Sequence, residues 1–179
     1  MRRVSVVGAV GSGKSTVSRE LAARLGVRRV ELDALFWGPD WTPRPHEQLL
    51  ADARREIAGD AWVIDGNYTT ALQPEIWARA DAVVWLDPPK QVVIAQVYGR
   101  TLARAVDRTE LWPSTGNRQR WRDVLAPWRK DGIVRRSWDQ VGRYPELYCT
   151  AMADPTHAHL DFHHLRSRGA VETFLAAAS

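Results

Sequence analysis

Apolar residues in this chain come in short runs separated by longer amphipathic stretches, and that alternation predicts the fold. Val4, Val6 and Val7 mark a first buried strand over about Arg3–Val7. The stretch after it carries Val17, Leu21 and Leu25 at four-residue spacing, which predicts a helix over Lys14–Leu25 with one packed face. Further strands are predicted at Arg29–Leu32, Trp62–Ile64, Ala82–Leu86 and His159–Phe162. Further helices are predicted at His46–Ala58, at Pro74–Ala80, from Asp87-Pro88-Pro89 to about Val106, and at Ala170–Ala178. Asp87 reads there as an N-cap followed by prolines in the first turn. Strands alternating with helices imply βαβ units, hence an α/β fold in which a five-stranded parallel sheet carries helices on both faces. Such sheets bind ligands at the carboxyl ends of their strands. That rule collects Gly8–Ser15, Asp33, Asp65 and Asp87 at one edge.

Residues 107–150 interrupt the alternation. The turn-rich run Glu110–Asn117 is followed by helical pattern over about Arg118–Ala126 and Pro127–Val141. A helical insertion between the fourth and fifth strands is expected to act as a lid, centred on 107–125. No repeat or low-complexity tract divides the 179 residues, so one domain over 1–179 is expected.

Between the first strand and the first helix stands Gly8-Ala9-Val10-Gly11-Ser12-Gly13-Lys14-Ser15, which fits G-x-x-x-x-G-K-[ST], the phosphate-binding P-loop. Gly8, Gly11 and Gly13 let the backbone curl so that its N–H groups, including that of Ser12, converge on phosphate oxygens. The helix start at Lys14, Ser15 and Thr16 adds a partial positive charge. Lys14 is placed to reach the β- and γ-phosphates and the Ser15 hydroxyl to ligate Mg²⁺.

Composition narrows the setting. No apolar run approaches the ~18 residues of a membrane span, the seven residues before the P-loop are too short for a signal peptide, and a cytoplasmic protein is expected. Cys149 is the only cysteine, which excludes an internal disulfide; it reads as a small packed residue. The net charge of +4 is uneven: Arg100–Arg143 holds eleven Lys/Arg against five Asp/Glu, a local +6, leaving −2 elsewhere. In a P-loop chain such a segment suits phosphates, and the absence of a helix-turn-helix, zinc spacing or basic tail argues against nucleic acid as a partner.

Arg100, Arg104 and Arg108 share one helical stripe. Three like charges there are either solvated or face an anion; Arg100 and Arg104 read as a phosphate clamp, Arg108 as solvated. Arg118 and Arg122 form a second i, i+4 pair in the lid, suited to swing in when it closes, Arg118 onto the substrate and Arg122 onto the transferring group. Asp65 ends the third strand, where a carboxylate holds Mg²⁺ directly or through water, or merely turns the chain with Gly66. Asp33, inside Glu31-Leu32-Asp33, either accepts a proton from an acceptor hydroxyl or orients it, or else caps a helix or makes a loop hydrogen bond; Glu31 reads as structural. Phe36, Trp37 and Trp41, with Arg44 nearby, form either a hydrophobic plug or a site for a flat ring bearing a phosphate. Trp62 and Trp85 read as core, and so does a stripe of Trp121, Val124, Leu125 and Trp128. His157, His159, His163 and His164 lack a metal-ligand partner set. His164 to Ser167, with Arg166, read as wall for a nucleobase.

These motifs, in this order, resemble the adenylate-kinase-like branch of P-loop small-molecule kinases, and most of all its topology-modulation-protein-like, adenylate-kinase-related group. The likeness is carried by Gly8–Thr16, Glu31–Trp41, Trp62–Tyr68, Val84–Asp87 and Arg100–Arg104. It implies a substrate-binding segment near 33–60, a lid near 107–125, ATP with Mg²⁺, and transfer of the γ-phosphoryl to a small acceptor, a nucleotide first of all. In adenylate kinases an Asp-Gly-Phe-Pro-Arg run grips the acceptor phosphate. Here Asp65-Gly66-Asn67-Tyr68-Thr69 keeps Asp-Gly and lacks the arginine, so Asn67 and Tyr68 take its place. Asp33 is similar instead to the acceptor-binding aspartate of shikimate-kinase-like enzymes, which phosphorylate a hydroxyl. The alternatives are thus a kinase of a non-nucleotide hydroxyl metabolite, an ATP-binding regulator acting on DNA, and an ATPase without an acceptor.

Overall fold

A computed structural model describes residues 1–67 and 72–178; Tyr68 lies outside the described residues. The strands are β1 (Arg3–Gly8), β2 (Arg28–Glu31), β3 (Trp62–Asp65), β4 (Ala82–Leu86) and β5 (Asp161–Leu165). The helices are α1 (Lys14–Leu25), α2 (Leu32–Phe36), α3 (His46–Ile57), α4 (Gln73–Arg79), α5 (Lys90–Asp107), α6 (Trp121–Leu125), α7 (Ile133–Ala153) and α8 (Arg168–Ala177). The strands form one parallel sheet in the order β2-β3-β1-β4-β5.

Both faces of the sheet are covered, so its central strands carry apolar residues on both faces rather than at alternate positions only. Val4 and Val6 of β1, Val63 of β3, and Val84 and Leu86 of β4 pack with Val17 and Leu21 of α1 and Leu175 of α8. The intervening residues, Val7, Ile64, Val83 and Trp85, pack with Ala53 and Ile57 of α3, Trp77 of α4, and Tyr144 and Tyr148 of α7. Trp62 and Trp85 are core, as their strand positions predict. Because β1 lies between β3 and β4, the loop after it opens at the centre of the carboxyl edge, where a crevice forms.

Several elements depart from the pattern. The chain turns helical at Leu32, one residue before the strand is expected to end, and this sets Asp33 in the first turn of α2. Asp87 does not cap α5; Pro89 occupies that position, and the Asp87 carboxylate meets His164 Nε2 at 2.9 Å. β5 lies later than predicted because His164 behaves as a core ring, stacked on Trp85 at 3.7 Å and 4°. α7 runs twelve residues beyond Val141, through Pro145, because Tyr144 and Tyr148 on either side of the proline anchor it in the core. The expected core stripe at the lid fails: Val124 is buried, but Trp121, Leu125 and Trp128 are exposed, since α6 ends at Leu125 before the stripe closes. Cys149 is exposed as well, on the outer side of α7. No helix among the described residues is long and apolar enough to cross a membrane.

Candidate active site

The P-loop needs its glycines for two physical reasons. Gly8 (φ +142°) passes so close to β4 that a Cβ would stand 2.4 Å from the Leu86 carbonyl oxygen. Gly11 (φ +88°) rests on α5, where a Cβ would come within 2.9 Å of Val97. The loop's internal bonds use the N–H groups of Ser12, Thr16 and Val17. Those of Gly11, Gly13, Lys14 and Ser15 have no acceptor among the described residues, and α1 starts with no side-chain cap. Ser12 Oγ is buried without a hydrogen-bond partner. A cradle of free N–H donors at a helix start is an anion site.

Two clamps hold the first half of the loop. Asn67 Nδ2 donates to the Gly8 carbonyl (2.6 Å), its Oδ1 accepts from the Gly8 N–H (3.0 Å), and the Tyr148 hydroxyl donates to the same Oδ1 (3.1 Å). Asn67 is therefore spent on the loop and does not face an acceptor, a correction to its expected substrate role. On the next residue but one, Val10 N–H donates to Gln140 Oε1 (2.8 Å) and the Val10 carbonyl accepts from Ser137 Oγ (2.6 Å). None of Ser137, Gln140 and Tyr148 is marked by sequence, because each is an ordinary polar position on a helix distant in the chain.

Lys14 Nζ donates to the Ala9 carbonyl at 2.8 Å. Burial pulls its pKa from 10.5 down to about 8, against the opposing fields of Asp65 and Asp33, with Arg100 pushing the same way as burial. A bound phosphate favours the charged form and raises that pKa. Binding therefore takes up a proton at pH values above about 8. Affinity for Mg·ATP, measured calorimetrically, should be flat below pH 8 and fall by about tenfold per unit above it. An affinity constant to pH 10 would mean that Lys14 carries no part of the contact.

Asp65, expected as a metal ligand, is instead committed to the protein. Its Oδ2 accepts from Ser18 Oγ (2.6 Å) and from Arg29 (2.8 Å), and the residue is buried. Arg29 also pairs with Glu31 at 3.1 Å. Burial lowers the Arg29 pKa, but its hydrogen bond and charge with Asp65, then with Glu31, outweigh this and hold it above the ordinary guanidinium value.

Arg100 and Arg104 are half-buried on α5, while Arg108 is exposed. Burial, and for Arg100 also the neighbouring Arg104, lowers both guanidinium pKa values; the carboxylates of Asp33 and Glu31 oppose the shift at both. The structure thus brings Lys14, Arg100, Arg104 and Asp33 into one field at the end of β1 and β2, with Glu31 added. Glu31, read as structural, also accepts from Trp112 Nε1 (3.3 Å), so it joins the arginines to the lid.

The segment 107–125 docks on the loop after α2. Trp112 stacks on Trp37 (6.4 Å, 23°), and Trp41 stands edge-on to both. Asn117 accepts from the Trp41 N–H and donates to the Gly38 carbonyl, both at 2.8 Å. It steadies a loop in which Asp40 and Trp41 both have positive φ (55° and 60°). Trp37 and Trp41 also border a small pocket of about 180 Å³ with Arg122 and Arg136. Three expected contacts are corrected. Arg44 reaches Asp52 on α3 (3.8 Å). Arg118 is exposed and closes the lid turn by donating to the Arg108 carbonyl (2.6 Å). Arg122, half exposed, lies beside Asp123 in that small pocket and is not among the groups that act on Lys14.

Beside the cradle lies a pocket of about 340 Å³ between Gly13, Thr16, Leu86, Pro88, Leu165 and Ser167. Its apolar walls suit a flat base one phosphate chain away from Lys14. Arg166 is not part of it: the side chain is exposed and turns to Asp87 at 3.9 Å.

No protein-family model matches the chain, and no curated protein matches it. Solved structures do. A shikimate kinase from Acinetobacter baumannii, in complex with shikimate, superposes with a TM-score of 0.61 at 17% identity, covering 98% of this chain and 89% of that one. A shikimate kinase from Bacteroides thetaiotaomicron gives 0.50 at 17% identity, covering 98% and 94%. Neither is an adenylate kinase. At this identity the likeness is one of architecture: the chain has the parallel-sheet fold of the P-loop small-molecule kinases.

Proposed function

We propose that this protein is an ATP-dependent kinase that transfers the γ-phosphoryl group to a hydroxyl of a small, non-nucleotide metabolite. The observation that carries the reading is the position of Asp33, close enough to Lys14 and Arg100 to act on the charge of both. With Glu31 it puts two carboxylates on the acceptor side of the cradle. A nucleoside monophosphate brings a dianion that those carboxylates repel, and the arginine that would answer it after β3 is missing. A neutral hydroxyl is instead oriented by a carboxylate, which can accept its proton as the new bond forms. The shikimate kinase architecture supports the same reading.

The residues divide the work as follows. The N–H groups of Gly11, Gly13, Lys14 and Ser15 hold phosphate oxygens; the apolar pocket beside Thr16 and Leu165 holds the base. Lys14, Arg100 and Arg104 balance charge on the transferring group. The Ser15 hydroxyl, at the second residue of α1, fits Mg²⁺, which keeps most of its waters and takes few protein oxygens. When bound, Mg²⁺ neutralises phosphate charge. Asp65 acts there through its field and through Ser18, not as a ligand. The segment 107–125 closes over 33–60 through Trp112 and Asn117 and keeps water from the reacting atoms.

Phosphorus NMR with Mg·ATP, against hydroxylated carboxylic acids, shikimate among them, and the nucleoside monophosphates, tests the class. Transfer is expected to a hydroxyl compound. With that acceptor Asp33→Asn should lower kcat by about 10²–10⁴-fold and leave Mg·ATP affinity within about threefold. Transfer to a nucleoside monophosphate alone would overturn the proposal.

A further inference from the structure

A second cleft, of about 730 Å³, opens between α5, α6 and α7. It shares no lining residue with the pocket beside the P-loop. On α5, Val93 and Val97 face Gly11, whereas Lys90, Ile94 and Tyr98 face this cleft.

The cleft has a defined interior. Trp128 and Trp138 meet edge-to-face at 5.5 Å and 83°, forming a right-angled indole corner. Both rings are about half exposed, at 52% and 43%, so the corner is open to a ligand. Ile94, Val124 and Val134 supply an aliphatic floor. Lys90 is the one charged side chain in the lining, and its Nζ sits 3.1 Å above the Trp138 ring centroid. It has no carboxylate within ion-pair distance among the described residues; the neighbouring Asp87 is taken by His164.

We propose that this cleft binds a flat aromatic monocarboxylate, with its ring in the Trp128–Trp138 corner and its carboxylate on Lys90. A right-angled pair of indoles lets a third ring stack on one and meet the edge of the other. A single cation at the wall of an apolar site selects one negative charge, and an ammonium already drawn out of bulk water by an indole face attracts it the more strongly. The volume lies in the range of small-molecule sites. A second copy of the chain fits less well. A two-fold contact sets the same patch against itself, so two concave clefts would face each other with their lysines opposed.

The test is calorimetric titration of the full chain with 2-naphthoate and with its neutral isostere 2-naphthamide. Naphthoate should bind with a Kd on the order of 0.1 mM, about tenfold tighter than the amide, and Mg·ATP should not displace it. Lys90→Met should remove that preference while amide binding persists. Trp138→Ala, at a half-exposed position, should weaken both ligands by about tenfold or more. Equal binding of the two ligands, displacement by Mg·ATP, or no binding at millimolar concentration would overturn the proposal. So would a concentration-dependent dimer in sedimentation that Leu125→Glu disperses, because the cleft would then belong to an interface between copies.

Discussion

Lys14→Met should lower phosphoryl transfer by about 10³-fold or more while the protein remains fully folded. The side chain is the one cation within Gly8–Ser15, and it is already aimed across the loop, on the Ala9 carbonyl. Its displacement onto a phosphate oxygen exchanges one weak acceptor for a strong charged one. The cost of keeping this ammonium buried is visible in its pKa of about 8. Methionine keeps the volume and removes the buried charge, so thermal stability should hold or rise slightly. Turnover with the acceptor, the Mg·ATP affinity and a thermal melt separate the two effects. A variant that melts like the parent and still turns over at the parental rate would remove the phosphate site from the reaction altogether.

The second large effect falls on stability. Arg29→Met should destabilise the protein by about 3 kcal/mol or more, because it strands the Asp65 carboxylate inside the sheet edge. The two side chains are 20% and 5% exposed, and they meet at 2.8 Å. Among the described residues Ser18 then remains as its side-chain donor, at 2.6 Å. A buried pair contributes little net as a pair, but removal of one partner leaves the other's desolvation uncompensated. Urea unfolding should show the midpoint falling with little change in slope. The double variant Arg29→Met with Asp65→Leu should recover most of the loss, since neither charge is then stranded. A single variant within about 1 kcal/mol of the parent would mean that water reaches Asp65.

The parallel sheet was legible because each βαβ unit is local: the pattern around Val4–Val7, Ala82–Leu86 and Val17–Leu25 marks elements to within a residue or two. The phosphate cradle was legible for the same reason, being a single uninterrupted motif. Asp65 was misjudged because a strand-end carboxylate looks the same in sequence whether it faces a metal or an arginine. Arg29, its partner, sits 36 residues earlier. Asn67 was misjudged likewise, since it grips the Gly8 backbone, which leaves no mark in a sequence, and Tyr148, which sits 81 residues later. The exposed Trp121 and Trp128 show the limit of periodicity. A stripe says which residues share a face, and what covers that face depends on elements elsewhere in the chain.

The grip of α7 on Val10 bears on the order in which the molecule comes together. Gln140 and Ser137 lie 130 and 127 residues from the backbone they hold. Contacts of such separation form late, after the entropy of closing a very long loop has been overcome. The motif that identifies the cradle is made long before α7, yet its shape waits on that helix. A nascent chain that has emerged only as far as β4 should hold the complete phosphate-binding sequence and bind nucleotide poorly. Nucleotide binding would then report the docking of α7 on the loop and not the presence of the motif.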